Sequence, residues 1–168
     1  PSYGLLTHEY VLSLVTLLMT TKQELCVVLN TGLYIDYNRN QLVDVALNNG
    51  STHMLFIDSD IKFEPDSIEQ LLARDKDIVG GYYNTRRGNC PVRVKDSQGK
   101  LVTPDPLPTE LFPCYVLPTG FMLIKLECLK QLQKPYFQTI TPQGGTIGED
   151  VVFCKKASDA GIELFCDK

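Results

Sequence analysis

Two aspartates one residue apart, Asp58 and Asp60, follow the apolar run Met54-Leu55-Phe56-Ile57, with Ser59 between them. Carboxylates delivered together from the end of a buried strand are costly to hold beside hydrophobic core unless something neutralises them. A divalent cation does that, and hard oxygen donors suit Mg²⁺ or Mn²⁺. Asp58 and Asp60 are therefore candidate metal ligands. Ser59 is a candidate contact to what the metal would hold, foremost a phosphate. The plain alternative is that Asp58 caps a turn and Asp60 is solvated.

Other residues could serve the same chemistry. Arg39-Asn40 stands where a helix is expected to open, and a guanidinium there could bind a phosphate or stack on a base. Without context it would be a surface arginine. Glu149-Asp150 follows Gly144-Gly145-Thr146-Ile147-Gly148 at the expected start of a late helix. Its dipole alone favours carboxylates there, and the same placement suits a general base facing a pocket. Thr119-Gly120 could line that pocket or make a tight turn. Tyr83 and Arg86 are candidate substrate contacts. Arg86, Arg87 and Lys125 are cations beyond strand ends, able to neutralise a diphosphate or to be merely solvated.

The elements that must position these residues alternate. Helices are expected over 5–21, 39–47 and from Pro65, and strands over 25–29, 54–57 and 77–83. The first helix is read with Val11, Leu14, Val15 and Leu18 on its inner face, and the second with Leu42, Val45 and Ala46. Alternation of this kind argues for a mostly parallel sheet with helices on its faces. Ligands bind such sheets beyond the carboxyl ends of the strands, where Asp58 and Asp60 lie. The second half is more irregular. It holds a hairpin over 91–102, a proline-rich excursion over 104–113 and strands over 114–117 and 120–124. A short helix over 126–133, a helix over 149–161 and a strand over 162–166 follow.

The 168 residues suffice for one domain with a core. A net charge of −4 without a basic stripe argues against nucleic acid as a partner. The 6 cysteines include no C-x-x-C pair, so zinc is unsupported, and they read as buried, reduced thiols of a cytosolic protein. The longest apolar stretch, 11–19, is too short for a transmembrane helix, which needs about 20 residues. It also lacks the charged start of a signal peptide.

Taken together, these residues resemble a nucleotide-sugar glycosyltransferase of the GT-A fold, close to family 2, over nearly the whole chain. Similar compact enzymes occur in bacteria, phages and large DNA viruses. Pro1-Ser2-Tyr3-Gly4 resembles the segment that cradles the nucleoside, and Arg39-Asn40-Gln41-Leu42 the R-N motif near the nucleotide. Met54 to Asp60 resembles the strand with its D-x-D metal motif, and Phe63-Glu64-Pro65-Asp66 the helix start that follows. Thr119 to Ile124 resembles the acceptor-side strand, and Gly148-Glu149-Asp150 the E-D motif that carries the catalytic base of inverting members.

The resemblance implies a GT-A, Rossmann-like, mostly parallel central sheet flanked by helices, with a smaller antiparallel acceptor-side part. It implies one catalytic domain over 1–168, with a nucleotide-sugar half (1–87) and an acceptor half (88–168). It implies a UDP- or GDP-sugar donor, a glycan or glycoprotein acceptor, Mn²⁺ or Mg²⁺ as cofactor, and a cytoplasmic setting. Pro1, Tyr3 and Arg39 would hold the nucleotide, and Asp150, or Glu149, would take the acceptor proton. The family's strand ahead of Pro1 and its late histidine metal ligand have no counterpart here, and His8 and His53 are poorly placed for that role. The expectation is thus of a chain truncated at both ends. Two alternatives remain: a phosphatase of the haloacid dehalogenase type, disfavoured by Ile61-Lys62 after the acidic pair, and a non-catalytic sugar-nucleotide or glycan-binding module.

Overall fold

The computed structural model describes residues 5–84, 88 and 90–168. Its first elements are α1 (His8–Thr20), α2 (Ile35–Asn48), β1 (His53–Ile57), α3 (Ser67–Ala73) and β2 (Ile78–Gly81). Then come β3 (Val94–Lys95), β4 (Leu101–Val102), β5 (Phe112–Cys114), β6 (Phe121–Lys125), a 3-10 turn (Leu126–Gln131), α4 (Glu149–Asp159) and β7 (Leu164–Asp167). Five strands form one sheet in the order β1-β6-β2-β7-β5, and β3 and β4 make a separate hairpin. Residues 1–87 and 88–168 thus both supply strands to one mixed α/β sheet.

That sheet is not mostly parallel. Among the described residues only β2 and β7 run parallel, while β1–β6, β2–β6 and β5–β7 are antiparallel. A parallel pair needs a long crossover, usually helical. Helix α3 supplies one between β1 and β2, yet β6 inserts between those strands and runs against both. Strand β6 arrives from the proline-rich excursion rather than from a helix. Among the described residues the stretch 25–29 joins no strand, although its residues are apolar, and Leu25, Val27, Val28 and Leu29 remain exposed.

Strand β6 shows how the core is split. Met122 and Ile124 face one side, packed in a cluster with Val43 of α2 and Phe153, Cys154 and Ala157 of α4. Phe121 and Leu123 face the other, with Tyr10 and Leu17 of α1 and Ile68 and Leu71 of α3. Side chains of a strand alternate between faces, so one apolar run serves both layers. Gly80 of β2 pairs with Met122, and a Cβ there would lie 2.3 Å from the Phe121 carbonyl oxygen, so this position accepts only glycine. All cysteines are free, and Cys26 departs from the expected burial by being exposed.

Helix α1 buries Tyr10, Ser13 and Leu17 rather than the expected Val11, Val15 and Leu18, which are all exposed; Leu14 is partly buried. The helix is apolar around most of its circumference, so periodicity alone cannot choose a face. Tertiary partners choose it. The Tyr10 ring meets Phe63 edge-on with centroids 6.3 Å apart, and the Phe63 N–H donates to Ser13 Oγ at 3.1 Å. Among the described residues, no helix is long and apolar enough to cross a membrane.

Candidate active site

Arg39 organises the site. Helix α2 begins at Ile35, a turn earlier than expected, so Arg39 lies inside the helix and points into the protein rather than opening it. It is buried at 4% exposure. Its Nη2 donates to Asp58 Oδ1 at 3.2 Å, its Nε to Glu149 Oε1 at 3.1 Å, and its Nη1 to the Thr119 carbonyl at 3.4 Å. The guanidinium also lies over the Phe56 ring, 5.1 Å from its centroid. A planar cation with several fixed donors is suited to holding two carboxylates and a carbonyl at once. One side chain thereby joins the D-x-D, T-G and E-D stretches, which lie far apart in sequence.

The neighbouring Asn40 does different work. Its Nδ2 donates to the Phe137 carbonyl at 2.7 Å, and its Oδ1 accepts from the backbone N–H of Tyr136 at 2.8 Å. It thereby pins the loop that leads towards α4. Phe137 in that loop stacks on Phe153 of α4 with centroids 4.4 Å apart, so the register of α4 and its acidic start follows from this anchor.

The carboxylates differ. Glu149, the first residue of α4, is buried, and burial pushes its carboxyl above the usual range while the Arg39 guanidinium pulls it back. Asp150 is half-buried, and its Oδ1 accepts the Val151 N–H at 2.8 Å. Asp58 follows β1, and its backbone N–H donates to the Gly120 carbonyl at 2.8 Å. Ser59 is half-buried and Asp60 is exposed.

Tyr83 completes the cluster. Its hydroxyl accepts the Gly120 N–H at 3.0 Å. Burial, then the negative charges of Asp58 and Asp150, raise its pKa well above the ordinary phenol value, so it stays a neutral donor. A Cβ on Gly120 would lie 2.1 Å from the Tyr83 hydroxyl and 3.0 Å from Asp58 Oδ2. Gly120→Ala should therefore destabilise the fold by about 1–3 kcal/mol through overpacking, read as a lower denaturation midpoint. An unchanged midpoint would mean that Tyr83 is free to move aside.

A groove of about 800 Å³ adjoins this cluster. Leu14 of α1, the 25–29 stretch, Leu42 of α2 and β1 form apolar walls, and Arg39, Asp58 and Ser59 also line it. The 25–29 stretch, which reads as a strand in the sequence, walls this cavity instead of filling the sheet. Thr119, expected to contact substrate, is buried at 2% exposure and contributes its carbonyl to Arg39 instead. Lys125 pairs with Asp75 at 2.7 Å, through a side chain set at the opposite end of β6 from Phe121. Pro1, Tyr3, Arg86 and Arg87 lie outside the described residues.

No group of three or more His, Cys, Asp or Glu able to hold a metal occurs among the described residues. What the chain offers a cation is the Asp58–Asp60 pair of hard oxygen donors. A pair without a cage fits the habit of Mg²⁺, which takes one or two carboxylates and completes its shell with water and substrate phosphates.

No family model matches the chain, and no curated protein does. The chain is similar to the crystal structure of A197 from STIV, at 24% identity and a TM-score of 0.66, over 99% of this chain and 78% of that one. At that identity the likeness is one of fold.

Proposed function

We propose that this chain is a metal-dependent glycosyltransferase of GT-A type, moving a sugar from a UDP- or GDP-sugar to a hydroxyl on a glycan or glycoprotein, with inversion. The observation that carries the reading is Arg39, whose guanidinium ties Asp58 to Glu149 beside the groove. A catalyst of this reaction must hold a diphosphate leaving group and a proton acceptor at fixed distance from each other. The Arg39 bridge supports such an arrangement.

Asp58 and Asp60 would hold Mg²⁺ or Mn²⁺, which when bound supplies charge stabilisation to the departing diphosphate. The chain's own residues do the rest. Arg39 fixes Asp58 and Glu149, whose carboxylates take up its charge, so positive charge on the diphosphate side would come from the bound cation. Glu149 is committed to Arg39, which leaves Asp150 as the group that takes the acceptor proton. Tyr83 stays neutral and is anchored on Gly120 through its hydroxyl. The apolar groove walls exclude water from one side of the donor.

The test is sugar transfer, or donor hydrolysis, from UDP- and GDP-sugars with Mn²⁺ added. Asp58→Asn and Asp60→Asn should each reduce metal-dependent turnover at least about a hundredfold, the scale of losing a transition-state charge contact. Full activity in both variants would sink the metal assignment. An aspartyl-phosphate trapped on Asp58 would favour the phosphatase reading instead, and nucleotide binding without turnover the binding module.

A further inference from the structure

Strand β1 ends the five-stranded sheet on one side, and its residues line the groove. Its pairing with β6 decides which backbone groups lie on the outer edge. The Leu126 N–H donates to the Thr52 carbonyl at 2.9 Å, and the Asp58 N–H to the Gly120 carbonyl at 2.8 Å. Bonded and non-bonded positions alternate along an antiparallel pair, so Met54 and Phe56 bond to β6 while His53, Leu55 and Ile57 turn their N–H and C=O groups outward. Among the described residues no backbone hydrogen bond reaches those outward groups. An open edge of this kind is a template for a further strand, and His53-Met54-Leu55-Phe56-Ile57 carries no proline or lysine to blunt it.

The groove continues the layers that cover the sheet. Leu14 and Leu17 of α1 and Ile68 of α3, which pack on one face of β6, line it. So do Leu42 and Ala46 of α2, which pack on the other face. Neighbouring strands lie about 4.8 Å apart, packed layers about 10 Å apart, and a strand rises about 3.3 Å per residue, so a partner matching the 5 residues of β1 fills roughly 800 Å³. The groove encloses about 800 Å³.

This setting selects the occupant. A strand held between two helical layers buries side chains on both faces, so it is apolar at every position rather than at alternate ones. Apart from Glu24 and His53, the charged groups that line the groove are Arg39 and Asp58, which pair with each other, so a neutral strand is the electrostatic match. A second copy is too bulky for the slot, because its own β1 edge carries α1 and α2 on its two faces. An acyl chain would fill the volume but leave the outward N–H and C=O groups of β1 unpaired.

We propose that the groove is a docking site for one extended peptide segment, apolar at every position, which adds to β1 as the next strand of the sheet. One end of that segment lies beside Asp58 and Ser59, which directly follow β1.

A capped peptide with the core Val-Ile-Val-Ile-Val between pairs of lysines tests this on the intact chain, by calorimetric titration and amide hydrogen exchange. It should bind, and the Leu55 and Ile57 amides, which exchange freely without it, should slow by about tenfold or more. The same peptide N-methylated throughout its core keeps the side chains but loses the donors, and should bind at least about tenfold more weakly. Val28→Asp places a charge on an exposed part of the groove wall, so it should melt like the parent and weaken the peptide to a similar degree. Equal binding of the N-methylated peptide overturns the proposal, because the groove would then take apolar matter without a ladder, as an acyl chain requires. Leu55 and Ile57 amides already protected in a self-associated parent overturn it in favour of a second copy. No binding of the peptide, or binding that leaves both amides unprotected and is untouched by Val28→Asp, overturns it as well.

Discussion

Arg39→Met should lower the denaturation midpoint by about 6–20 °C. The substitution keeps most of the apolar stem against Phe56 but removes the charge, leaving Asp58 and Glu149 without their common partner. Breaking a buried ion pair from one side costs about 3–5 kcal/mol, and for a chain of this size each kcal/mol shifts the midpoint by about 2–4 °C. The loss should depend on pH in a defined direction. Burial already raises the Glu149 pKa, and without Arg39 nothing of that strength draws it back. Below the ordinary carboxylate range both the folded and unfolded states hold the proton, and the penalty from Glu149 is absent. As pH climbs from that range to the raised folded value, the unfolded state gives up the proton first, and the variant loses stability. Adding Glu149→Gln to Arg39→Met should therefore recover part of the midpoint at neutral pH. Thermal melts of the single and double variants between acid and neutral pH measure this. A flat difference from the parent across that range would show that Arg39 is not the structural tie between the two carboxylates.

Asp150→Asn should leave the fold intact and remove most of the turnover, about 10²–10⁴-fold in kcat, the usual worth of a general base. On the proposed reading donor binding should barely change, because the Asp58 region would hold the donor. Glu149→Gln should behave differently, disturbing stability through Arg39. Comparing kcat, donor KM and melting temperature for the two variants separates the adjacent carboxylates. If Asp150→Asn turns over like the parent, the acceptor proton goes elsewhere and the division of labour within the E-D pair is wrong.

The local elements were legible in the sequence and the way they assemble was less so. The acidic pair after β1 and the acidic start of α4 could be read because each is a local signal: an apolar run and a helix start. The direction of β6 was not local. Nothing in Phe121-Met122-Leu123-Ile124 tells whether its neighbours will lie parallel or antiparallel; that depends on how the excursion before it returns. Leu25 to Leu29 has strand composition, yet among the described residues no strand pairs with it, because strand propensity describes a fit to a pleated surface. The role of Arg39 was half visible. Its type and position near a motif suggested a phosphate contact, whereas its three protein partners lie 19, 80 and 110 residues away.

The place of β7 has a consequence for biosynthesis. Leu164–Asp167 lies inside the sheet, between β2 and β5, and Phe165 and Cys166 pair on both sides. During translation β1, β2 and β6 can associate as soon as residues up to Lys125 have left the ribosome. Strand β5, although made before β6, has no sheet to join until β7 emerges. Its apolar Phe112 and Cys114 must wait, exposed, for the last residues of this stretch. Non-local pairings of this kind slow folding and lengthen the exposure of unpaired edges. A nascent chain paused shortly before Leu164 would carry a finished acidic pair and a finished Arg39 helix on a sheet still missing its inner strand.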